Sequence, residues 1–131
     1  MITAFPATEF DSFSIGGMRP FAAVAKEMLG MAVPAAHGVL TGEWETHAEA
    51  SATTKDEILA AWDHSTAELD RIFPQIPLAK FGETIMAFGQ WTMPVHDLLL
   101  YVIDNEIHHR AQGYVYLRAL GVEPPTFWER D

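Results

Sequence analysis

One spacing pattern constrains this chain more than any other, because it defines a long helix with a single inward face. The helix is predicted to start after Pro94 and to end at Gly121, since glycine suits the residue after a helix and Pro124 with Pro125 cannot continue it. The shared face begins apolar and turns polar halfway along, and consists of Leu98, Val102, Asn105, His109, Gln112 and Tyr116. A polar patch on such a face indicates a candidate site.

A second helix is predicted upstream, after Pro20, where proline suits the first helical position. Its apolar stripe includes Val24 and Met31, and Gly42 ends it. Because a proline inside a helix removes a backbone donor and clashes with the preceding turn, Pro34 is expected to kink or break it.

A third helix opens at Thr54, with Glu57 three residues later, and this pair is the signature of a capping box. Pro74 ends that helix. Residues 78–93 contain two glycines and alternate between apolar and other side chains around Ile85, Ala87 and Trp91. This pattern fits either a loop or a short hairpin. We expect this segment to act as a lid or strap.

Size and composition limit the classes of protein that remain. A chain of 131 residues has room for one core, so residues 1–131 are expected to form a single domain. The net charge of −10 disfavours nucleic-acid binding, because a phosphate backbone would be repelled. The absence of cysteine excludes a thiolate metal site and a cysteine nucleophile, and fits a cytoplasmic location. No apolar run reaches about 18 residues, so no membrane span or signal peptide is expected.

His109 is the histidine that should point inward, since it shares the face of Asn105, whereas the neighbouring His108 points about 100° away. Two interpretations stay open. His109 is either a histidine at the edge of the core that hydrogen-bonds Asn105 or Gln112, or a metal ligand.

Glu27 is unusual because it lies on the apolar stripe of the second helix, three residues after Val24 and four before Met31. A carboxylate there is costly unless it is paired or bound to a metal. The alternatives are a side chain that reaches solvent at the edge of the stripe, an ion pair with Arg110 or Arg118, and a carboxylate that faces a metal.

Glu27, Asn105 and His109 together are the candidate metal ligands, because helix bundles build metal sites from side chains on facing helices. Zinc, nickel, iron and manganese are the candidate ions. The amide of Asn105 is a weak ligand, so such a site would bind weakly. Trp44, Trp91 and Arg110 are candidates for binding substrate, the arginine by holding a carboxylate.

The chain resembles the DinB-like, or YfiT-like, damage-inducible family, whose members include metal-dependent enzymes and which is distinct from the DNA polymerase of the same name. The resemblance covers most of residues 15–128. It is carried by residues 104–112, by the later Tyr116, Gly121 and Pro124–Pro125, and upstream by Arg19–Phe21 through Glu27 and by Thr41–Trp44.

The resemblance implies an all-α fold, an up-down four-helix bundle whose N-terminal helix is shortened here. It implies a divalent metal held by three histidines, whose positions fall on Glu27, Asn105 and His109, so this chain keeps only one of the three. It also implies chemistry on a low-molecular-weight thiol. Because residues 1–15 are too short for a full first helix, we expect a homodimer partner to complete the bundle.

Two functions are therefore considered. The first is a metal-dependent enzyme, a thiol-dependent transferase or hydrolase, that acts on a small-molecule substrate. The second is a metal-free helix-bundle module for binding or dimerisation, in which the three polar residues form only a hydrogen-bond network.

Overall fold

Helices account for most of the chain in this computed structural model, in which residues 1–45 and 51–128 are described. The helices in chain order are the single turn α1 (Ala7–Phe10) and the long helices α2 (Phe21–Thr41), α3 (Lys55–Ile72) and α4 (Val95–Ala119). A small antiparallel hairpin precedes α4 and consists of β1 (Thr84–Ala87) and β2 (Trp91–Pro94). The prediction of an all-α bundle with a shortened first helix is confirmed.

The segment between α3 and α4 is a hairpin rather than a loop. Ile85 pairs with Met93 and Ala87 with Trp91 across the two strands, and a 3-10 turn at Leu78–Gly82 comes before them. The backbone amide of Val95 donates to the carbonyl of Glu83 at 2.9 Å, which fastens the start of α4 to the hairpin.

Helix α2 begins after Pro20 and ends at Gly42, which has the left-handed φ of 82° and donates its amide to the carbonyl of Gly38. A kink or a break was predicted at Pro34, and the break does not occur, because the helix continues through this residue to Thr41. Met31 and Ala35 are buried on either side of Pro34, so packing holds both halves of the helix although one backbone hydrogen bond is lost.

The capping box of α3 is confirmed. The hydroxyl of Thr54 accepts from the amide of Glu57 at 3.2 Å, and Oε2 of Glu57 accepts from the amide of Thr54 at 3.0 Å. Two otherwise unpaired amides of the first turn are satisfied in this way, which explains why the helix begins here.

The N-terminal segment packs into the core. Phe5 and Phe10 are buried, and the ring of Phe5 stacks on Phe21 with centroids 4.7 Å apart. The ammonium of Lys55 donates to the carbonyls of Thr3 at 2.9 Å and Phe5 at 2.6 Å, which ties this segment to the start of α3. The N-terminal segment therefore forms part of the hydrophobic core.

Candidate functional site

Glu27 on α2 and the polar face of α4 meet in the interior of the bundle. Nε2 of His109 lies 3.1 Å from Oε1 of Glu27, and the side-chain amide of Asn105 donates to the same oxygen at 3.4 Å. His109 is buried, with 7% of its surface exposed, and His108 lies on the exposed side of α4, as the helical spacing predicts. The structure thus brings together the three residues proposed as metal ligands.

Arg19 completes this cluster, and the sequence did not predict it. Its guanidinium forms an ion pair with Oε2 of Glu27, the oxygen that His109 and Asn105 leave open. Of the alternatives for Glu27, the ion pair with Arg110 or Arg118 is not found, because those two arginines lie 3.8 and 3.9 Å from Glu106 and Glu123.

A contact with α4 fixes the place of Arg19. The hydroxyl of Tyr116 donates to the backbone carbonyl of Arg19 at 2.9 Å, and Tyr116 is itself buried. The loop before α2 is therefore anchored on the same face of α4 that carries His109. The only sequence signal for this turn is Gly16–Gly17, where both residues have positive φ.

The second ring nitrogen of His109 is also hydrogen-bonded. Nδ1 lies 2.9 Å from Oε1 of Gln112, and the amide nitrogen of Gln112 lies 3.0 Å from Nε2 of His108. This contact with Gln112 is one of those expected for a histidine at the edge of the core. A chain of polar contacts runs from Arg19 through Glu27, His109 and Gln112 to the surface at His108. The carboxylate of Glu27 can exchange a proton with Nε2 of His109, whereas the amide oxygen of Gln112 can only accept a hydrogen bond from Nδ1.

The charge of Glu27 is balanced within the protein. Burial by itself raises the pKa of this carboxyl, but the hydrogen bonds from Arg19, His109 and Asn105 outweigh burial, and its pKa lies below the ordinary value of 4.5. Glu27 is therefore an anion at neutral pH, with a guanidinium beside one oxygen and an imidazole beside the other.

The residues at this site fit a divalent metal poorly. Among the described residues no group of three or more histidine, cysteine, aspartate or glutamate side chains could hold a metal ion. Glu27 and His109 supply two strong donors, while Asn105 turns its amide NH2 towards the carboxylate and Arg19 places a positive charge there. The guanidinium of Arg19 already supplies the positive charge that a metal ion would otherwise supply to Glu27.

A small open cavity adjoins His109. Its volume is about 210 Å³, and we call it the His109 cavity. It is lined by Gly17, Met18, Arg19, Val24, His109, Gln112 and Tyr116. A small molecule held there would meet the guanidinium of Arg19 and the imidazole of His109.

The three residues proposed to bind substrate lie outside this cavity. Arg110 lines a separate cleft with Met1 and Trp62. Trp44 and Trp91 flank the ring of Phe88 in the hairpin turn, at centroid distances of 5.0 and 6.2 Å. The structure thus places the two tryptophans near each other and separates both from Arg110.

Over residues 1–45 and 51–128, no helix is long and apolar enough to cross a membrane.

Comparison with known proteins identifies the family. The DinB family model matches residues 2–131. A DinB-like protein from Bacillus cereus has a similar solved structure, with a TM-score of 0.75 and 18% identity over 98% of this chain and 86% of that one. A mutant of a mycothiol-dependent maleylpyruvate isomerase has a TM-score of 0.57 and 18% identity over 83% of this chain and 52% of that one.

The chain spans about half the length of the isomerase, and at these identities both structures show the fold alone. The comparison with curated proteins finds no match. Because the family model spans the chain from residue 2 to its last residue, this protein belongs to the DinB family.

Proposed function

We propose that this chain is a metal-free member of the DinB family that binds a small anionic molecule in the His109 cavity. The observation that supports this function is the contact of Glu27 with both Arg19 and His109. A carboxylate that a guanidinium already neutralises has little to gain from a divalent ion, because the metal would have to displace that partner.

Arg19 is the residue that would hold the anion. Its side chain is half exposed on the wall of the cavity, and one nitrogen, Nη2, contacts Glu27. A guanidinium carries five N–H donors, so others remain for a carboxylate or thiolate of the ligand. His109 lines the same cavity, so its imidazole would lie beside the bound anion.

A low-molecular-weight thiol, bound as its thiolate, is the anion that we favour. The chain has no cysteine, so any thiol at this site must come from a bound molecule. The fold is similar to that of an isomerase whose activity depends on mycothiol, which supports a thiol over other small anions.

The second candidate function is the metal-dependent enzyme, a transferase or hydrolase, with zinc, nickel, iron or manganese at Glu27, Asn105 and His109. One distance favours it, since Oε1 of Glu27 and Nε2 of His109 are 3.1 Å apart, close enough for one cation to contact both. A metal there would act as a Lewis acid and lower the pKa of a bound water or thiol.

Thermal denaturation with added zinc, nickel, manganese or ferrous ion separates these two functions, because a ligand specific for the folded state raises the Tm. The metal-free proposal predicts no rise in Tm for the wild type. A rise in the wild type and in His64→Ala, but not in His109→Ala, would contradict it. His64 is the matched control because it is an exposed histidine on α3.

Mercaptoacetate, a small anionic thiol, tests the anion site. We expect it to raise the Tm of the wild type and of Arg118→Met, but not that of Arg19→Met. Arg118 is the matched control because it is an exposed arginine outside the cavity. Equal stabilisation of all three proteins would show that Arg19 does not hold the anion.

We further propose that the protein forms a homodimer through α4. Leu100, Ile103 and Ile107 are each about half exposed, and their spacing of three and four residues places them on one face of the helix. Phe73, at the end of α3, lies exposed beside Ile103 on the wall of a neighbouring groove. Contiguous apolar surface of this kind is typical of protein interfaces.

A further inference from the structure

A second cavity lies beneath the hairpin, away from the His109 cavity. Its volume is about 260 Å³, and we call it the hairpin cavity. It is lined by Met31, Phe88, Trp91, Met93, Leu98 and Tyr101. Met31 from α2 and Leu98 from α4 are buried, while Trp91 and Tyr101 are about half exposed. The cavity therefore has a buried apolar part and an aromatic part that faces solvent.

The lining selects against charge. All six side chains are apolar or aromatic, and the only polar side-chain atoms among them are the indole nitrogen of Trp91 and the hydroxyl of Tyr101. An anionic ligand would lose its hydration here and gain at most these two donors, whereas a neutral apolar ligand loses little hydration.

The size and the shape favour a flat ring system. A dry apolar cavity of about 150 Å³ is enough to hold benzene, so the hairpin cavity has room for one or two fused rings. The rings of Phe88 and Trp91 stand at 76° to each other, which offers a flat molecule both an aromatic edge and an aromatic face.

The hairpin turn holds the ring of Phe88 in place at a conformational cost. Phe88 has a φ of 52°, a left-handed conformation that residues with side chains rarely adopt. The rings of Trp44 and Trp91 both pack against the ring of Phe88. Such conformations persist where the surroundings enforce them, and they often occur at ligand sites.

We propose that the hairpin cavity binds a neutral planar molecule of one or two fused rings, packed against Phe88 and Trp91. Neither Glu27 nor His109 lines this cavity. The inference therefore goes beyond the proposed function, and it stands whether or not a metal or an anion binds near His109.

Methionine methyl resonances provide the test. In protein labelled at the methionine methyl carbons, indole should shift the signals of Met31 and Met93 saturably. Signals of the other four methionines should stay in place, including that of Met18 in the His109 cavity. Shifts that do not saturate, or equal shifts at Met18, would overturn the proposal. Indole-3-carboxylate is the matched charged probe, and equally tight binding of it would contradict the selection against charge.

Trp91→Ala tests the aromatic wall at an exposed position where the fold should tolerate the change. We expect indole to bind about tenfold more weakly to this variant, because the aromatic contact is lost. Val115→Ala is the control, since Val115 is a half-exposed residue of α4 outside both the cavity and the proposed dimer face, and the affinity of this variant should equal that of the wild type. Unchanged affinity in Trp91→Ala would place the ligand elsewhere.

Discussion

Nε2 of His109 lies 3.1 Å from Oε1 of Glu27, and this contact joins the longest helix of the bundle to α2. The other oxygen of Glu27 forms an ion pair with Arg19, which lies in the loop before α2. A carboxylate on an apolar stripe is thereby satisfied on both oxygens by residues of the protein. The cost of its partial burial is offset by hydrogen bonds, and the site needs no further cation.

Glu27→Gln should make stability depend less on pH. The pKa of Glu27 in the folded protein lies below its ordinary value of 4.5, so the ionised carboxylate favours the folded state. This contribution is complete above pH 4.5 and is lost as the pH falls through the lower folded pKa. At pH 7 we expect the free energy of unfolding of the variant to be about 1–3 kcal/mol lower than that of the wild type.

Urea denaturation between pH 7 and pH 3 measures this difference, which should shrink in acid. Glu123→Gln is the matched control, because Glu123 is almost fully exposed on the surface, and its effect should be small throughout. A difference between wild type and Glu27→Gln that stays constant across this range would contradict the account of Glu27.

The capping box predicts a second acid-sensitive contribution. Hydrogen bonds from Thr53 and Thr54 lower the pKa of Glu57 from 4.5 to about 2. Its carboxylate therefore stabilises the start of α3 above pH 4.5, and this stabilisation is lost as the pH falls towards 2. Glu57→Gln should have a lower Tm than the wild type at pH 6, with the gap narrowing in acid. Asp63→Asn, an exposed change in the middle of α3, should show no such gap.

Local patterns in the sequence predicted the elements that depend on neighbouring residues. The capping box at Thr54, the stop at Gly121 and the inward direction of His109 all follow from spacing along a helix. These features were found because capping and helical periodicity are set within about one turn.

Contacts between distant segments could not be predicted in the same way. Arg19 meets Glu27 because Tyr116, 97 residues later, holds the backbone of Arg19. Pro34 does not break α2 because buried residues on both sides keep the helix packed. In both cases tertiary packing outweighs a local rule, and no spacing within a single helix contains that information.

Gly113 allows the N-terminal segment to approach α4 closely. A Cβ at this position would lie 2.7 Å from the sulfur of Met1 and 2.7 Å from the ring of Phe21. Alanine would gain about 1 kcal/mol in helix propensity, but we expect the clash to cost about 2–3 kcal/mol, so the variant should lose stability overall. Gly82→Ala is the control, because a Cβ at this position would meet no atom within 4 Å. The stability of this variant should be close to that of the wild type. Urea denaturation that finds Gly113→Ala as stable as the wild type would contradict the packing of this segment.

The homodimer proposal predicts a change of mass in solution. Light scattering during gel filtration should give the wild type twice the chain mass of 14.6 kDa. Ile103→Glu should give a monomer, because a charge within the apolar stripe opposes its burial. Val115→Glu should remain dimeric, since Val115 is also about half exposed but lies about two turns beyond the stripe. A monomeric wild type would contradict the proposal.

Elemental analysis of purified, untagged protein measures whether Glu27, Asn105 and His109 hold a metal. We expect the wild type to carry no stoichiometric metal, even after exposure to zinc, nickel, manganese and ferrous ion. We expect the double variant Glu27→His with Asn105→His to gain a metal, because it replaces the paired carboxylate and the weak amide by imidazoles on the same two helices. One metal per chain in the wild type, lost in His109→Ala, would show that the cluster of Glu27, Asn105 and His109 is a metal site.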